Sequence, residues 1–433
     1  MVGSLERDTT KGSVLPYATS GLVILFFVSF FNYMDRYMLA VLLPAIKADL
    51  GLSDTQIGFI TGLAFTLFYA TMGIPIARLA DRKSRKTIIA IALSFWSLMT
   101  MLCGLAQNFI QLALARVLVG VGEAGASPPS HSLIADYFPL EKRATAISFF
   151  NIGAPVGILV GFLAGGWLTE FFSWRIALIT VGAPGILLAL VVAWRLVEPP
   201  RGHADGHTAE AETPSLLFVF RTLWGNKTFR HISLGTGVYT ILWLGVVQWL
   251  PSFYVRTHEM SLGTVSTWLA FILGGSQLIG ILAGGFVADR LGRLDLRWYA
   301  WVPSLAMLGS TPVFAYTFLT DNSIASMISL FFPFMIGVMQ GAPTFAIIQG
   351  VSDISMRATA AALMLLIANL IGGGLGPQAV GILSDLWANT YAEDSLGYAL
   401  LWVSLIAGFW AALHYGLASK TIATDLTRRR KPA

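Results

Sequence analysis

Apolar runs of about 20 residues, each long enough to cross a hydrocarbon layer roughly 30 Å thick, recur along this chain at 17–43, 55–78, 87–106, 110–136, 143–168, 174–195, 229–255, 263–288, 298–319, 323–350, 358–385 and 396–419. Twelve such runs occupy most of the 433 residues. The composition agrees: 55% of residues are hydrophobic and 12% charged, against roughly 25% charged in an ordinary soluble domain, so the apolar excess reads as lipid-facing surface. The expected fold class is an all-α integral membrane protein with twelve transmembrane helices. The polar opening, Met1 to Pro16, lacks the apolar core and small-residue cleavage site of a signal peptide, so the first run is expected to stay in the mature protein. Cys103, the single cysteine, falls inside the third run, which leaves no partner for an intrachain disulfide or a cysteine metal site.

The net charge of +5 points to topology and not to nucleic acid. Sorted by alternate loops, 23 of the 28 lysines and arginines fall on one side, while Lys47, Arg175 and Arg256 fall on the other and Arg36 and Arg116 lie inside spans. By the positive-inside rule both termini are cytoplasmic. The longest polar interval, 198–228, contains "EPPRGHADGHTAEAETP" and reads as a flexible cytoplasmic linker. It divides the chain into a cytoplasmic segment 1–16, an N-terminal six-helix bundle 17–197, the linker 198–228, a C-terminal six-helix bundle 229–419 and a basic tail 420–433.

The halves repeat one another. "ARLADRKSRK" (77–86) is echoed by "GFVADRLGRL" (285–294), placing Asp81 and Asp289 208 residues apart; "EKRATA" (141–146) is echoed by "SMRATA" (355–360), matching Arg143 with Arg357; and Glu123 aligns with Gln340. Gly- and Pro-rich stretches at 151–166 and 369–385 correspond as well. Two six-helix, pseudo-symmetric bundles follow.

"RVLVGVGEAGASPPS" (116–130) fits the G-x-G-x-x-G pattern of a dinucleotide turn, but that turn needs a strand before it and a helix opening at the glycines. Here the preceding "FIQLALARVLV" is an earlier part of the same helix. There is no Gly-Lys dipeptide either, so no P-loop. The glycines read as a close-packing helix surface.

Charges at bilayer depth are costly and normally face a cavity or a partner. Arg116 and Glu123 share a helix face two turns apart, roughly 10 Å, too far for a direct pair. Straight-helix heights place Asp35 of "FFNYMDRYMLA" level with Arg116 and place Glu123 lower. The expectation is therefore an Asp35–Arg116 pair across the cavity, with Glu123 as a more exposed acid below and Arg36, about 100° away, packed on another helix or snorkelling outward. A carboxylate whose arginine partner moves loads or releases a proton, which makes Asp35 the leading proton-coupling residue and Glu123 the second. His131 reads as a structural histidine or a relay. The matched C-terminal positions are Pro333 and Gln340. Tyr239, Trp243, Gln248, Phe332 and Phe345 supply the other wall, so a cavity charged on one side and aromatic on the other, with Asn32 and Tyr33 beside Asp35, suits an amphiphile.

The duplicated G-x-x-a-D-r-x-G-r-k signature, the R-x-x-x-G-x-G of the fourth span and the Gly/Pro stretch of the fifth resemble the major facilitator superfamily, with Ala77 and Ser84 standing where that family usually has glycine. "NYMDRY" followed by "GVGEAGASPPSHSLIADYF" resembles the spinster branch. The resemblance implies alternating access and a cytoplasmic gate carried by Asp81, Arg82, Arg85, Arg143, Asp289, Arg290 and Arg357. It also implies a proton-linked carrier of a lipid-like substrate such as a sphingolipid or lysophospholipid. The alternatives are a proton symporter of small organic anions or sugar acids, an uncoupled uniporter, and a non-transporting receptor or scaffold. No catalytic triad, metal cluster or cofactor motif stands out, so neither an enzyme, a metal nor a cofactor is expected. The expected partners are a small amphiphile, protons and the bilayer, with no nucleic acid or nucleotide; the protein is expected to be monomeric, multi-pass and, if bacterial, in the inner (plasma) membrane.

Overall fold

An unpartnered backbone N–H or C=O in hydrocarbon costs several kcal/mol, and this chain meets that constraint with helix almost throughout. A computed structural model describes residues 15–204, 216–353 and 356–428. Eleven helical stretches are long and apolar enough to cross a membrane: Ala18–Leu50, Asp54–Ala80, Arg85–Cys103, Phe109–Tyr137, Glu141–Phe171, Trp174–Arg195, Lys227–Thr257, Leu262–Gly292, Trp298–Leu319, Ser323–Val351 and Thr359–Leu426. The last has 68 residues and folds back on itself. Ala392, with φ 47°, opens a short 3-10 turn, Ala392–Asp394, between the helix ending at Tyr391 and the helix Ser395–Arg428. Twelve spans result, numbered 1 to 12 here. Span 12 continues well past residue 419, with Ile422 buried, so the expected basic tail is largely helix.

The span starts are capped by short polar side chains. Ser53, Ser84, Asn108, Ser173, Asn226, Ser261 and Asn322 each accept a hydrogen bond from a first-turn N–H, satisfying amides that would otherwise be orphaned. Ser84 takes the cap at span 3. Asp81 ends span 2, and Asp289 lies within span 8, accepting from Tyr299 at 2.8 Å.

Close packing follows the glycines. In span 5, Gly153, Gly157, Gly161 and Gly165 recur every four residues against span 1, facing Phe26, Phe30, Met34 and Met38 in turn. A Cβ at Gly153 would lie 2.7 Å from the Phe26 carbonyl oxygen, and one at Gly161 2.7 Å from that of Met34. Small residues that let backbones approach are how helices associate where lipid supplies no hydrophobic drive. In span 4, Gly120 sits against Phe65 and Gly125 against Ala92, as the packing reading of that stretch expected.

Beyond the span 5–span 8 seam, the halves meet mainly at the end of the bundle away from the termini. The Asp54 carboxylate, 1% exposed, accepts from Lys47, from Arg256 Nη1 at 2.7 Å and from Ser384 Oγ at 2.6 Å. Asp385 accepts from the backbone N–H groups of Asp54 and Thr55 at 3.0 and 2.7 Å, and Gln378 Nε2 donates to the Thr55 carbonyl at 3.2 Å. Spans 1, 2, 7 and 11 are thereby latched together. Sequence reading had assigned Lys47 and Arg256 only to the charge-poor side.

The linker is less free than expected. Glu198 accepts from Arg85 Nε (2.7 Å), Ser84 Oγ (3.0 Å) and the Lys86 N–H (2.9 Å). Burial works against ionisation of Glu198, but these bonds outweigh it and hold the carboxyl below its ordinary range, so they strengthen folding at neutral pH and lose that contribution as pH falls through the lowered value. Arg201 donates to the Ala80 and Lys83 carbonyls, and the Gly202 N–H donates to Asp136. A further helix, Leu216–Gly225, follows; residues 205–215 lie outside the described residues, as do nearly all of 1–16.

Two outcomes follow. Gly157→Val drives a branched side chain into the Phe30–Met34 backbone and should cost about 1–3 kcal/mol or more, read as a lowered melting temperature in detergent. Asp54→Ala strands Lys47 and Arg256 without their carboxylate, a loss on the order of 3–5 kcal/mol when one partner of a buried pair is removed; spin labels at Phe59 and Ala388 should then report a longer, broader separation.

Candidate functional site

A cavity of ≈ 200 Å³ lies between the halves. From the N-terminal half it is lined by Tyr33, Arg36, Tyr37, Leu39, Thr61, Phe65, Thr66, Tyr69 and Arg116, and from the C-terminal half by Thr240, Trp243, Leu244, Gln248, Asn369, Gly373 and Pro377. Helix breaks surround it. Span 2 is interrupted at Gly62, which packs against the Gly374 carbonyl of span 11, and span 11 carries a π-turn over Asn369–Gly373. Such turns are frequent at functional sites because they re-aim side chains out of the regular helical register.

The charged side chains pair differently from the expectation. Arg36 turns inward and joins Glu123, with Nη2–Oε2 2.6 Å and Nε–Oε2 3.2 Å. Its guanidinium carbon also lies 4.7 Å from the Phe65 ring centre and 4.8 Å from that of Tyr69. Glu123 is fully buried rather than the exposed acid of the set. Heights along straight helices took no account of helix rotation and side-chain reach: the long Arg36 and Glu123 side chains meet although their backbones differ in height.

Among the described residues no salt bridge joins Asp35 to Arg116. Asp35, 3% exposed, accepts from Thr100 Oγ1 at 2.7 Å and occupies a small recess behind the cavity with Phe31, Trp96 and Ser97. It is close enough to interact directly with Glu123 and to feel the charge of Arg116. Asp35 Oδ1 and Glu123 Oε1 are both buried without a hydrogen-bond partner. Arg116, 2% exposed, has its guanidinium carbon 5.1 Å from the Phe65 ring centre, borders the cavity, and has no carboxylate within salt-bridge distance among the described residues.

The other candidates divide. Tyr33, Trp243 and Gln248 line the cavity. Asn32 is buried beside it and meets Arg36 Nη2 at 3.4 Å. Tyr239 stands behind Trp243, 6.4 Å between ring centres. Gln340 is absorbed in a hydroxyl network, accepting from Tyr415 at 2.8 Å and Thr344 at 3.0 Å. Phe332 and Phe345 are 49% and 39% exposed and His131 meets its own helix and Phe150; none of the three is among the residues that line the cavity. The aromatic wall is also not where it was expected: Tyr33, Tyr37, Phe65 and Tyr69 come from the N-terminal half and only Trp243 from the other. Tyr37, one turn after Tyr33, and the Phe65–Tyr69 pair carry a helical spacing that marks a shared face; nothing in the sequence marks which way that face points.

Three arginines of the expected gate make the following bonds. Arg85 is buried and donates to Asp136, to Glu198 and to the Pro199 carbonyl; Arg143 donates to the Ala135 carbonyl at 2.8 Å and Arg357 to that of Gln349 at 3.1 Å.

Comparison with known proteins places this geometry. Residues 25–377 match the family model described as Major Facilitator Superfamily. The chain is 34% identical over 413 residues to an MFS-type efflux pump of Mycolicibacterium smegmatis, covering 94% of each. It is 28% identical over 379 residues to the hexuronate transporter of Bacillus subtilis, covering 84% of this chain and 87% of that one. Its fold matches the crystal structure of a bacterial homologue of the human lysosomal transporter spinster, in an inward-facing and unoccupied conformation, with TM-score 0.86 and 29% identity over 95% of this chain and 99% of that one. The chain belongs to the Major Facilitator Superfamily, as a spinster-like, multi-pass membrane transporter.

Proposed function

We propose that the protein is a proton-coupled secondary transporter of an amphiphilic organic anion, working by alternating access with its termini in the cytoplasm. The observation that carries this is Arg116. A guanidinium 2% exposed, on the cavity wall and without a carboxylate partner among the described residues, is a site for an anion that arrives with the substrate. Phe65 lies against it, and Tyr33, Tyr69 and Trp243 line the same cavity with ring surface, which suits an apolar body attached to that anion.

Proton coupling follows from the charge balance. Asp35, Glu123, Arg36 and Arg116 cancel when all four are ionised. A monoanion entering beside Arg116 leaves one uncompensated negative charge in a poorly solvated place, which is strongly unfavourable. A proton taken up between Asp35 and Glu123, on the two oxygens that have no partner, restores neutrality and removes the repulsion between the carboxylates. Anion and proton therefore load together. When the proton leaves, both carboxylates compete for the arginines and the anion is expelled. In this scheme the Asp54 latch holds the inward-facing arm of the cycle.

A second reading, proton symport of a small sugar acid, is supported by the threonine and amide groups of the lining and the ≈ 200 Å³ volume, below the roughly 300–1,000 Å³ of drug-sized sites. Liposomes loaded with a pH-sensitive dye and offered either a lysophospholipid or a hexuronate separate the two, since only the true substrate carries protons with it.

Arg116→Gln should weaken binding of the transported anion by at least tenfold while leaving the melting temperature within a few degrees. For an anion whose own charge is constant over the range, affinity should fall by up to tenfold per pH unit in the window where the Asp35–Glu123 pair releases its proton, the slope of one linked proton. That slope should flatten in Glu123→Gln; an unchanged slope in this variant would remove Glu123 from the coupling.

A further inference from the structure

Gln248 is 5% exposed and lines the cavity, yet its Oε1 has no hydrogen-bond partner and its amide makes no hydrogen bond to any described residue. Buried amides are almost always paired. The position is also held firmly: next to it Trp249 Nε1 donates to the Pro377 carbonyl at 3.0 Å, and one turn back Gly245 lies against Gly376. The backbone that carries Gln248 into the cavity is therefore fixed.

The other polar groups on the same wall are engaged. Thr240 Oγ1 donates to the Thr236 carbonyl at 2.8 Å, and Asn369 Nδ2 donates to that of Leu365 at 2.9 Å. We propose that Gln248 recognises a hydroxyl group on the transported anion, so that the substrate is a hydroxyl-bearing anion and not a plain fatty or aromatic acid. This rests on the anion site at Arg116. A hydroxyl donates to Oε1 and accepts from Nε2 at once, which uses both faces of the amide. An ammonium group fits worse, because the C-terminal wall of the cavity carries no carboxylate among its lining residues and the opposite wall carries Arg36 and Arg116. A second carboxylate on the substrate would go to the arginines.

The test compares matched probes binding to the purified full-length protein: 1-oleoyl lysophosphatidate against its 2-deoxy analogue, and in a parallel arm a hexuronate against hexanoate. The wild type should prefer the hydroxylated member by about tenfold or more, since a site that leaves its buried polar group unpaired discriminates against the analogue lacking the hydroxyl. Gln248→Met, similar in length and without the amide, should bring the hydroxylated probe down to the level of its analogue and leave the analogue's affinity unchanged. Arg116→Gln should lose both members of the pair. Equal wild-type binding of the two members, or a preference that survives in Gln248→Met, would overturn the hydroxyl assignment while leaving the anion site standing. Binding that persists in Arg116→Gln, or no binding of any probe to the wild type, would overturn the anion site on which it rests.

Discussion

A guanidinium held at bilayer depth has to be neutralised or turned toward water, and the interior of this protein is arranged around two of them. Arg36 is neutralised by Glu123 and covered by the faces of Phe65 and Tyr69; Arg116 has Phe65 but no carboxylate within salt-bridge distance among the described residues, and opens onto the cavity. Spans 1, 2 and 4 must approach closely for this to happen. Gly120 permits it by lying on the Phe65 backbone, and the four-residue glycine repeat of span 5 permits it by drawing span 1 inward along 26–38, the segment that carries Asn32 through Arg36. The glycines thus set the position of the charges around the cavity.

The two halves repeat one another's motifs but present different groups to the cavity. The position matched to Glu123 holds Gln340, which is tied to Tyr415 and Thr344, with Tyr415 in turn meeting Thr236. That network is neutral and rigid, so the C-terminal half presents amides, hydroxyls and one tryptophan to the cavity while the N-terminal half holds all the charge. Trp243 Nε1 reaching Tyr37 at 3.4 Å joins the two walls. At the end away from the termini the polarity is exchanged: Asp54 belongs to the N-terminal half, and Arg256, Ser384 and Asp385 come from the other.

Much of the architecture was legible beforehand. Twelve apolar runs, the asymmetry of lysine and arginine, the paired Asp81 and Asp289 motifs and the split at the linker were sufficient for the helix number and the two-bundle plan. The glycines around 120–125 were correctly taken as packing surface. The errors lie where a one-dimensional height was used for a three-dimensional contact. Rise along straight helices matches Asp35 with Arg116, but rotation and side-chain reach decide the contacts, and Asp35 meets Thr100 while Arg36 meets Glu123. Phe332 and Phe345 were assigned inward because aromatic residues suit a cavity; they suit lipid equally well, and composition does not distinguish the two.

The sequence by itself determined which residues are helical and which charges lie at depth, because backbone hydrogen bonding in hydrocarbon leaves helix as the local solution and the cost of burying a charge is a property of that residue. Only the tertiary structure decided which charge meets which, which face of each span lines the cavity, and that Lys47, Asp54 and Arg256 form one cluster. Those outcomes depend on helix rotation and on breaks such as Gly62, Ala124–Ala126 and the π-turn at Asn369–Gly373. A rotation of one residue moves a side chain by about 100°, and packing between helices distant in sequence supplies that angle.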